Sequence, residues 1–127
     1  MLSVDVYDFD KVITNGVYPS NRDVIVTGRS YEEYSYVYEY LKRNHIPLIP
    51  IYFNPIELKY RETDNDNARI RSAYHKVSIV KLLLANRVPI RNFYEDEPIQ
   101  YAIIKANLPQ VECVLVDEQF LKEYHDR

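Results

Sequence analysis

The stretch "VDVYDFDKVITNG", residues 4–16, decides how this chain is read: a run rich in Val and Tyr ends in two aspartates two residues apart, followed by Thr14 and Gly16. Asp and Gly disfavour strands, so a strand entering at Val4 should stop at Asp8. Strand-end aspartates most often make turns or helix caps. The alternative is that Asp8 and Asp10 hold a metal ion and do chemistry, and the rest of the chain bears on which reading is better.

Working outward, four more short apolar runs read as strands: Val24–Val26, Pro47–Phe53, Asn92–Tyr94 and Cys113–Val116, beside Val4–Asp8 itself. Most are continuous rather than alternating, as in strands covered on both faces. Helical patterns lie between the later runs. Ser30–Arg43 opens on "SYEE", a capping box of Ser30 with Glu33, and places Tyr34, Val37 and Leu41 on one face. Ala68–Ala85 places Ile70, Ala73, Val77, Val80 and Leu84 at steps of three and four, with Asp66 or Asn67 as cap. Pro98–Asn107 begins with proline in the first turn, and "EQFLKEYH" (118–125) forms the last helix.

Strands alternating with helices predict an α/β domain spanning 1–127: a Rossmann-like three-layer sandwich with a mainly parallel five-stranded sheet. The first connection is unusual. "KVITNGVYPSNR" (11–22) carries Asn, Gly, Pro and Ser where a crossover helix is ordinarily found, so it reads as a loop. "ETDNDN" (62–67) is the predicted mobile loop.

Composition limits the function classes. Net charge is −3, from 16 Lys and Arg against 19 Asp and Glu, which does not suggest broad nonspecific nucleic-acid binding. No apolar run is long enough to span a bilayer, and "MLSVDVYDFD" has no basic region before an apolar stretch, so neither a membrane association nor a signal peptide is expected. One cysteine, Cys113, reads as a core residue and fits a reducing, cytoplasmic setting. Histidines at 45, 75 and 125 lack metal-pair spacing, so no zinc site is expected. With only two glycines, Gly16 and Gly28, each should sit where the backbone needs positive φ or a close approach. Tyr31, Tyr36 and Tyr40 lie off the apolar stripe of their helix and could form a partner surface or stacking platform.

In open parallel sheets, ligands bind beyond the carboxyl ends of the strands. Asp8 and Asp10 follow the first run, Thr27, Gly28 and Arg29 the second, and Glu95, Asp96 and Glu97 the fourth. Carboxylates converging on one edge repel unless a cation or protons offset them. Mg²⁺ suits one or two carboxylates plus a phosphate. Thr27 offers a hydroxyl, Gly28 close backbone approach, and Ser30 a helix start that favours an anion. Together these point to phosphoryl chemistry.

With those residues in view, the chain resembles the haloacid dehalogenase (HAD) superfamily of phosphotransferases. "VDVYDFDKVIT" is similar to its first motif, an apolar strand followed by D-x-D-x-[TV]; "DVIVTGR" to its second; Lys76 in "AYHKVSIVKLLL" to its third; and "NFYEDEP" to its fourth. The resemblance covers nearly the whole chain, in order. It implies that Asp8 is the nucleophile forming an aspartyl-phosphate, and that Asp10 protonates the leaving oxygen and then activates water. It further implies that Thr27 and Lys76 hold the phosphoryl oxygens, while Asp8, the Asp10 backbone carbonyl, Asp96 and Glu95 serve Mg²⁺. Lys59, after the third strand, is the alternative to Lys76. Lys11 stands where many members have Gly, placing an extra cation at the mouth beside the substrate-facing Thr27, Gly28 and Arg29. Glu95 replaces the commoner Asp. No interval accommodates a cap domain, so the expected form is a minimal capless phosphatase with an open site. Its phosphorylated substrate would be a small molecule, a nucleic-acid end or a phosphoprotein. "TGR … HK … FYEDE" has some similarity to polynucleotide-end phosphatase domains, for which Arg29, Lys59, Arg61, Arg69 and Arg71 would line the mouth. The alternative is a HAD-like regulatory or interaction domain without turnover.

Overall fold

The computed structural model describes residues 2–61 and 65–126. Its strands are β1 (Val4–Tyr7), β2 (Val24–Ser30), β3 (Ile51–Asn54), β4 (Ile90–Glu95) and β5 (Glu112–Leu115), in the order β3-β2-β1-β4-β5. Every pairing is parallel, so the expected mainly parallel sheet is parallel throughout. The helices are α1 (Tyr34–Arg43), α2 (Asp66–Ala85), α3 (Pro98–Asn107) and α4 (Glu118–His125).

Side chains alternate across the sheet, and both faces are apolar. Val6, Val24, Val26 and Phe93 pack with Val77, Val80 and Ile104 under α2 and α3. Their neighbours Tyr7, Ile25 and Tyr94 pack on the other face with Val37, Leu41 and Phe120 of α1 and α4. This is the three-layer sandwich that continuous apolar strands require. Among the described residues, no helix is long and apolar enough to cross a membrane.

The first connection has no crossover helix, only a 3₁₀ turn at Ile13–Asn15. It is nevertheless packed: Phe9, Val12, Ile13 and Val17 are buried against α1 and α4, supplying the apolar cover a helix would have given. Gly16 closes the turn at φ +87°, in the left-handed region where a side chain is strained. His125 at the end of α4 donates from Nε2 to the Asn15 carbonyl at 2.9 Å, fastening the last helix to this connection.

Several local expectations are corrected. β2 runs on through Ser30, whose Oγ accepts from Glu32 N at 3.2 Å to cap a 3₁₀ turn at Tyr31–Glu33. The capping box with Glu33 does not form, because Glu33 is taken by two arginines, and α1 starts only at Tyr34. The N-terminal amides expected to face an anion after Ser30 therefore belong to a capped turn. Tyr34 is exposed while Tyr40 packs edge-on against Phe9, the reverse of the predicted assignment, although Val37 and Leu41 are buried as expected. Asn65, rather than Asp66 or Asn67, caps α2 by accepting from Ala68 N, and Ile70 of the predicted stripe is exposed. Of the stretch 62–67, residues 62–64 lie outside the described residues, and 66–67 belong to α2.

Candidate active site

The strand order reverses direction between β1 and β4: the chain builds outward from β1 to β3, then returns to lay β4 on the other side. A crevice opens at such a point beyond the carboxyl ends of the strands. Asp8 leaves β1 here, its backbone N–H donating to the Tyr94 carbonyl of β4 at 3.0 Å, so its position is fixed by the sheet. Its Oδ1 accepts from Phe9 N at 2.9 Å.

Lys76 reaches this crevice from the middle of α2. Its side chain is 2% exposed, with Nζ 2.6 Å from Glu95 Oε1 and 3.3 Å from Asp8 Oδ1. Lys59 is exposed and paired with Glu57, so of the two lysines it is Lys76 that the fold brings to Asp8. Glu95, fully buried, spends its other oxygen on the backbone N–H groups of Asp96 and Glu97, at 3.0 and 3.2 Å. Burial works against both charges, but for Glu95 the Lys76 ammonium overrides it and the carboxyl is held below its ordinary value. For Lys76, Asp8 and Glu95 override burial and hold the ammonium well above its ordinary value. Asp8 has the opposite fate. Burial first, then the Glu95 charge, raises its carboxyl well above the usual range despite Lys76.

The other predicted residues line up above this floor. Asp10 is half-exposed, and its two carboxylate oxygens accept from Arg29 Nε and Nη2, both at 2.8 Å. Arg29 also reaches Glu33 at 3.3 Å and lies 4.5 Å from the Tyr36 ring centroid, and Glu33 in turn pairs with Arg61 at 3.2 Å. Arg29 is thus committed within the protein, and its bidentate bonds to Asp10 raise its already high pKa. Thr27 is fully buried just beneath the edge, its Oγ1 accepting from Arg29 N at 3.1 Å. Gly28 meets the close-approach expectation, but the approach is to α2: a Cβ there would lie 2.1 Å from Ser72 Oγ. Gly28→Ala is accordingly expected to destabilise by about 1 kcal/mol, measured by urea unfolding, and the double variant Gly28→Ala/Ser72→Ala to recover that loss.

These groups border a cavity of about 450 Å³ whose lining includes Asp8, Asp10, Lys11, Lys76, Asp96 and Gln100. Two lining residues were not singled out from sequence. Ser72 precedes Lys76 by one helical turn, so the i, i+4 rule could have found it. Gln100 follows the acidic run on α3; it is buried, with Oε1 lacking a hydrogen-bond partner, and only the tertiary structure reveals it. Glu97, grouped with the acids at sequence level, caps α3 by accepting from Ile99 and Gln100 N–H. His75 stays beside the site without entering the cavity lining, its ring pKa lowered by burial and then by Lys76.

One oxygen each from Asp8, Glu95 and Asp96 lie within 4.8 Å of one another, a donor set suited to a hard divalent cation. Asp10's carboxylate stays outside this cluster, on Arg29. With both Glu95 oxygens engaged, Asp8 and Asp96 have the capacity to ligate. Without a cation, burial and Glu95 raise Asp96 from its ordinary 3.8 to about 6. A carboxyl whose folded pKa exceeds its unfolded one makes the native state hold more protons between those values, so its contribution to stability falls as pH rises through that window. In chelator, the melting temperature of the wild type is therefore expected to fall relative to Asp96→Asn between pH 4 and 6. If the cluster holds a divalent cation such as Mg²⁺, which requires the ionised carboxylate, adding it should raise the melting temperature more at pH 7 than at pH 5. An equal effect at both pH values would count against Asp96 as a ligand.

No protein-family model matches the chain, and no curated protein matches it.

Proposed function

We propose that this chain is a Mg²⁺-dependent phosphomonoesterase of the capless HAD kind, acting through an aspartyl-phosphate intermediate. The observation that supports this reading best is the meeting of Asp8 and Lys76, with Asp96 alongside, at the strand-order reversal of a parallel sheet. A carboxylate rigidly held by the sheet is a positioned nucleophile, and a buried ammonium beside it is a preorganised counter-charge for a phosphoryl group.

In this mechanism Asp8 attacks phosphorus: an Asp8 O–P bond forms and the P–O bond to the leaving group breaks. Asp10 turns out of its bidentate pair with Arg29, takes up a proton from solvent and delivers it to the departing oxygen. Asp10 then takes a proton from water as that water attacks the acyl phosphate, releasing inorganic phosphate and restoring Asp8. Lys76 holds a phosphoryl oxygen throughout, and in this reading Thr27, whose Oγ1 accepts from Arg29 N, donates its hydroxyl proton to another. Mg²⁺, held by Asp8 and Asp96 with the Asp10 backbone carbonyl, would neutralise charge on the phosphoryl oxygens. Glu95 acts through Lys76, keeping its charge and direction. The open mouth suits a phosphorylated small molecule, a nucleic-acid end or a phosphoprotein, and a cytoplasmic setting, where Cys113 stays reduced, belongs to the same reading.

The test is hydrolysis of a generic aryl phosphate by the purified chain, with Mg²⁺ and with chelator. Phosphate release that depends on Mg²⁺ is expected. No release across pH 5–9 with Mg²⁺, Mn²⁺ or Co²⁺ would overturn the proposal and favour a binding domain.

A further inference from the structure

Three non-glycine residues among those described have left-handed backbone: Lys11 at φ 62°, His45 at 55° and Arg87 at 64°. Two have an ordinary cause. His45 and Arg87 follow the ends of α1 and α2, and their N–H groups bond back to Lys42 and Leu84, the way helices commonly close. Lys11 ends no helix. It sits directly after Asp10, pinned on both sides: its N–H donates to Thr14 Oγ1 at 2.7 Å and its carbonyl accepts from Asn15 Nδ2 at 3.0 Å. The turn demands this conformation, and glycine would meet the demand without steric cost. A side chain kept under backbone strain beside a site points to a use for that side chain.

The charges around the mouth suggest that use. Arg29 is spent on Asp10 and Glu33, Arg61 on Glu33, and Arg69 pairs with Asp66. Lys76 belongs to the floor, with Asp8 and Glu95. Lys11 lines the same cavity, is exposed, and has no carboxylate partner among the described residues. Among the described residues it is a cation of the mouth with no carboxylate against it, separate from the floor where the reacting phosphoryl group would sit.

We propose that Lys11 is a specificity-determining residue that binds a second phosphate of the substrate, so that the site prefers phosphomonoesters carrying another phosphate group on the leaving portion. This rests on the phosphatase reading for its catalytic meaning. A small organic bisphosphate and the phosphodiester next to a phosphorylated nucleic-acid end both offer such a second phosphate. The chemistry recognised is the same.

The experiment compares kcat/KM for adenosine 3′-monophosphate, adenosine 3′,5′-bisphosphate and a 3′-phosphorylated dinucleotide, in wild type, Lys11→Gly and Lys11→Ala. Wild type should prefer the substrates with a second phosphate by roughly three- to tenfold at low ionic strength, with the preference shrinking in salt. Both variants should bring that ratio close to unity. Lys11→Gly should melt no lower than wild type, which separates loss of the ammonium from loss of the fold. A preference for the bisphosphate but not the dinucleotide would identify the small molecule as the source, and the converse the nucleic acid. A ratio equal in wild type and both variants would overturn the inference. If wild type hydrolyses none of the three, the phosphatase reading fails by itself. Calorimetric titration of the bisphosphate and the monophosphate then decides the Lys11 site: an affinity ratio that collapses in Lys11→Gly upholds it, and an unchanged ratio ends it.

Discussion

Asp8→Asn is expected to lower Mg²⁺-dependent hydrolysis of an aryl phosphate by roughly 10⁴-fold or more, the scale of removing a nucleophile. The protein should stay folded. Asn keeps the Oδ1 that accepts from Phe9 N, and it replaces a carboxyl already raised by burial and by the neighbouring Glu95 charge. Removing that repulsion offsets the weakened contact with Lys76, so the melting temperature should be no lower than that of wild type. Loss of activity together with retained stability is the signature of a nucleophile rather than a structural aspartate. If phosphate release persisted unchanged in Asp8→Asn, Asp8 would not be the nucleophile, whatever the other residues do.

The largest stability effect is expected at Lys76. Lys76→Met leaves Glu95 fully buried and Asp8 nearly so, with no counter-charge, and removing one member of a buried pair costs about 3–5 kcal/mol. Urea unfolding should show that loss at pH 7. It should be smaller at pH 5, because Glu95, no longer held below its ordinary range, can take up a proton instead of remaining charged. Adding Glu95→Gln should recover more than half of it, since glutamine can still accept from the Asp96 and Glu97 N–H groups without leaving a charge unpaired. A loss below about 1 kcal/mol in Lys76→Met would mean that the ammonium contributes little to the fold and that the pair relaxes readily toward solvent.

The two sites differ in how far they could be read from the chain. Asp8 was legible because it ends an apolar run, and a strand end is a local property. The same holds for Asp96 after β4 and for the left-handed Gly16. Boundaries were less legible: β2 extends to Ser30, because pairing with Asn54 of β3 continues beyond the apolar residues. Tyr40 is covered by Phe9 from the first connection, and Glu33 is drawn from the cap by two arginines, contacts that no local pattern records. Gly28 was expected to let a ligand approach, and the close approach present is that of Ser72 on α2. Glu95 was expected among the metal ligands, and the structure adds its grip on Lys76.

By itself, the sequence determined the architecture: continuous apolar strands need cover on both faces, and short intervals between them leave helices as that cover. It also determined which carboxylates would follow β1 and β4. Only the tertiary structure decided that Lys76 rather than Lys59 meets Asp8, that Arg29 is spent on Asp10, and that Lys11 stands at the mouth with no carboxylate partner among the described residues. The physical reason is the range of the information. Strand and helix tendencies are set within a few residues, whereas these contacts join residues nineteen or more positions apart, as Asp10 with Arg29 and Lys76 with Glu95. They are fixed by which face of α2 packs on the sheet and by the point at which the strand order reverses.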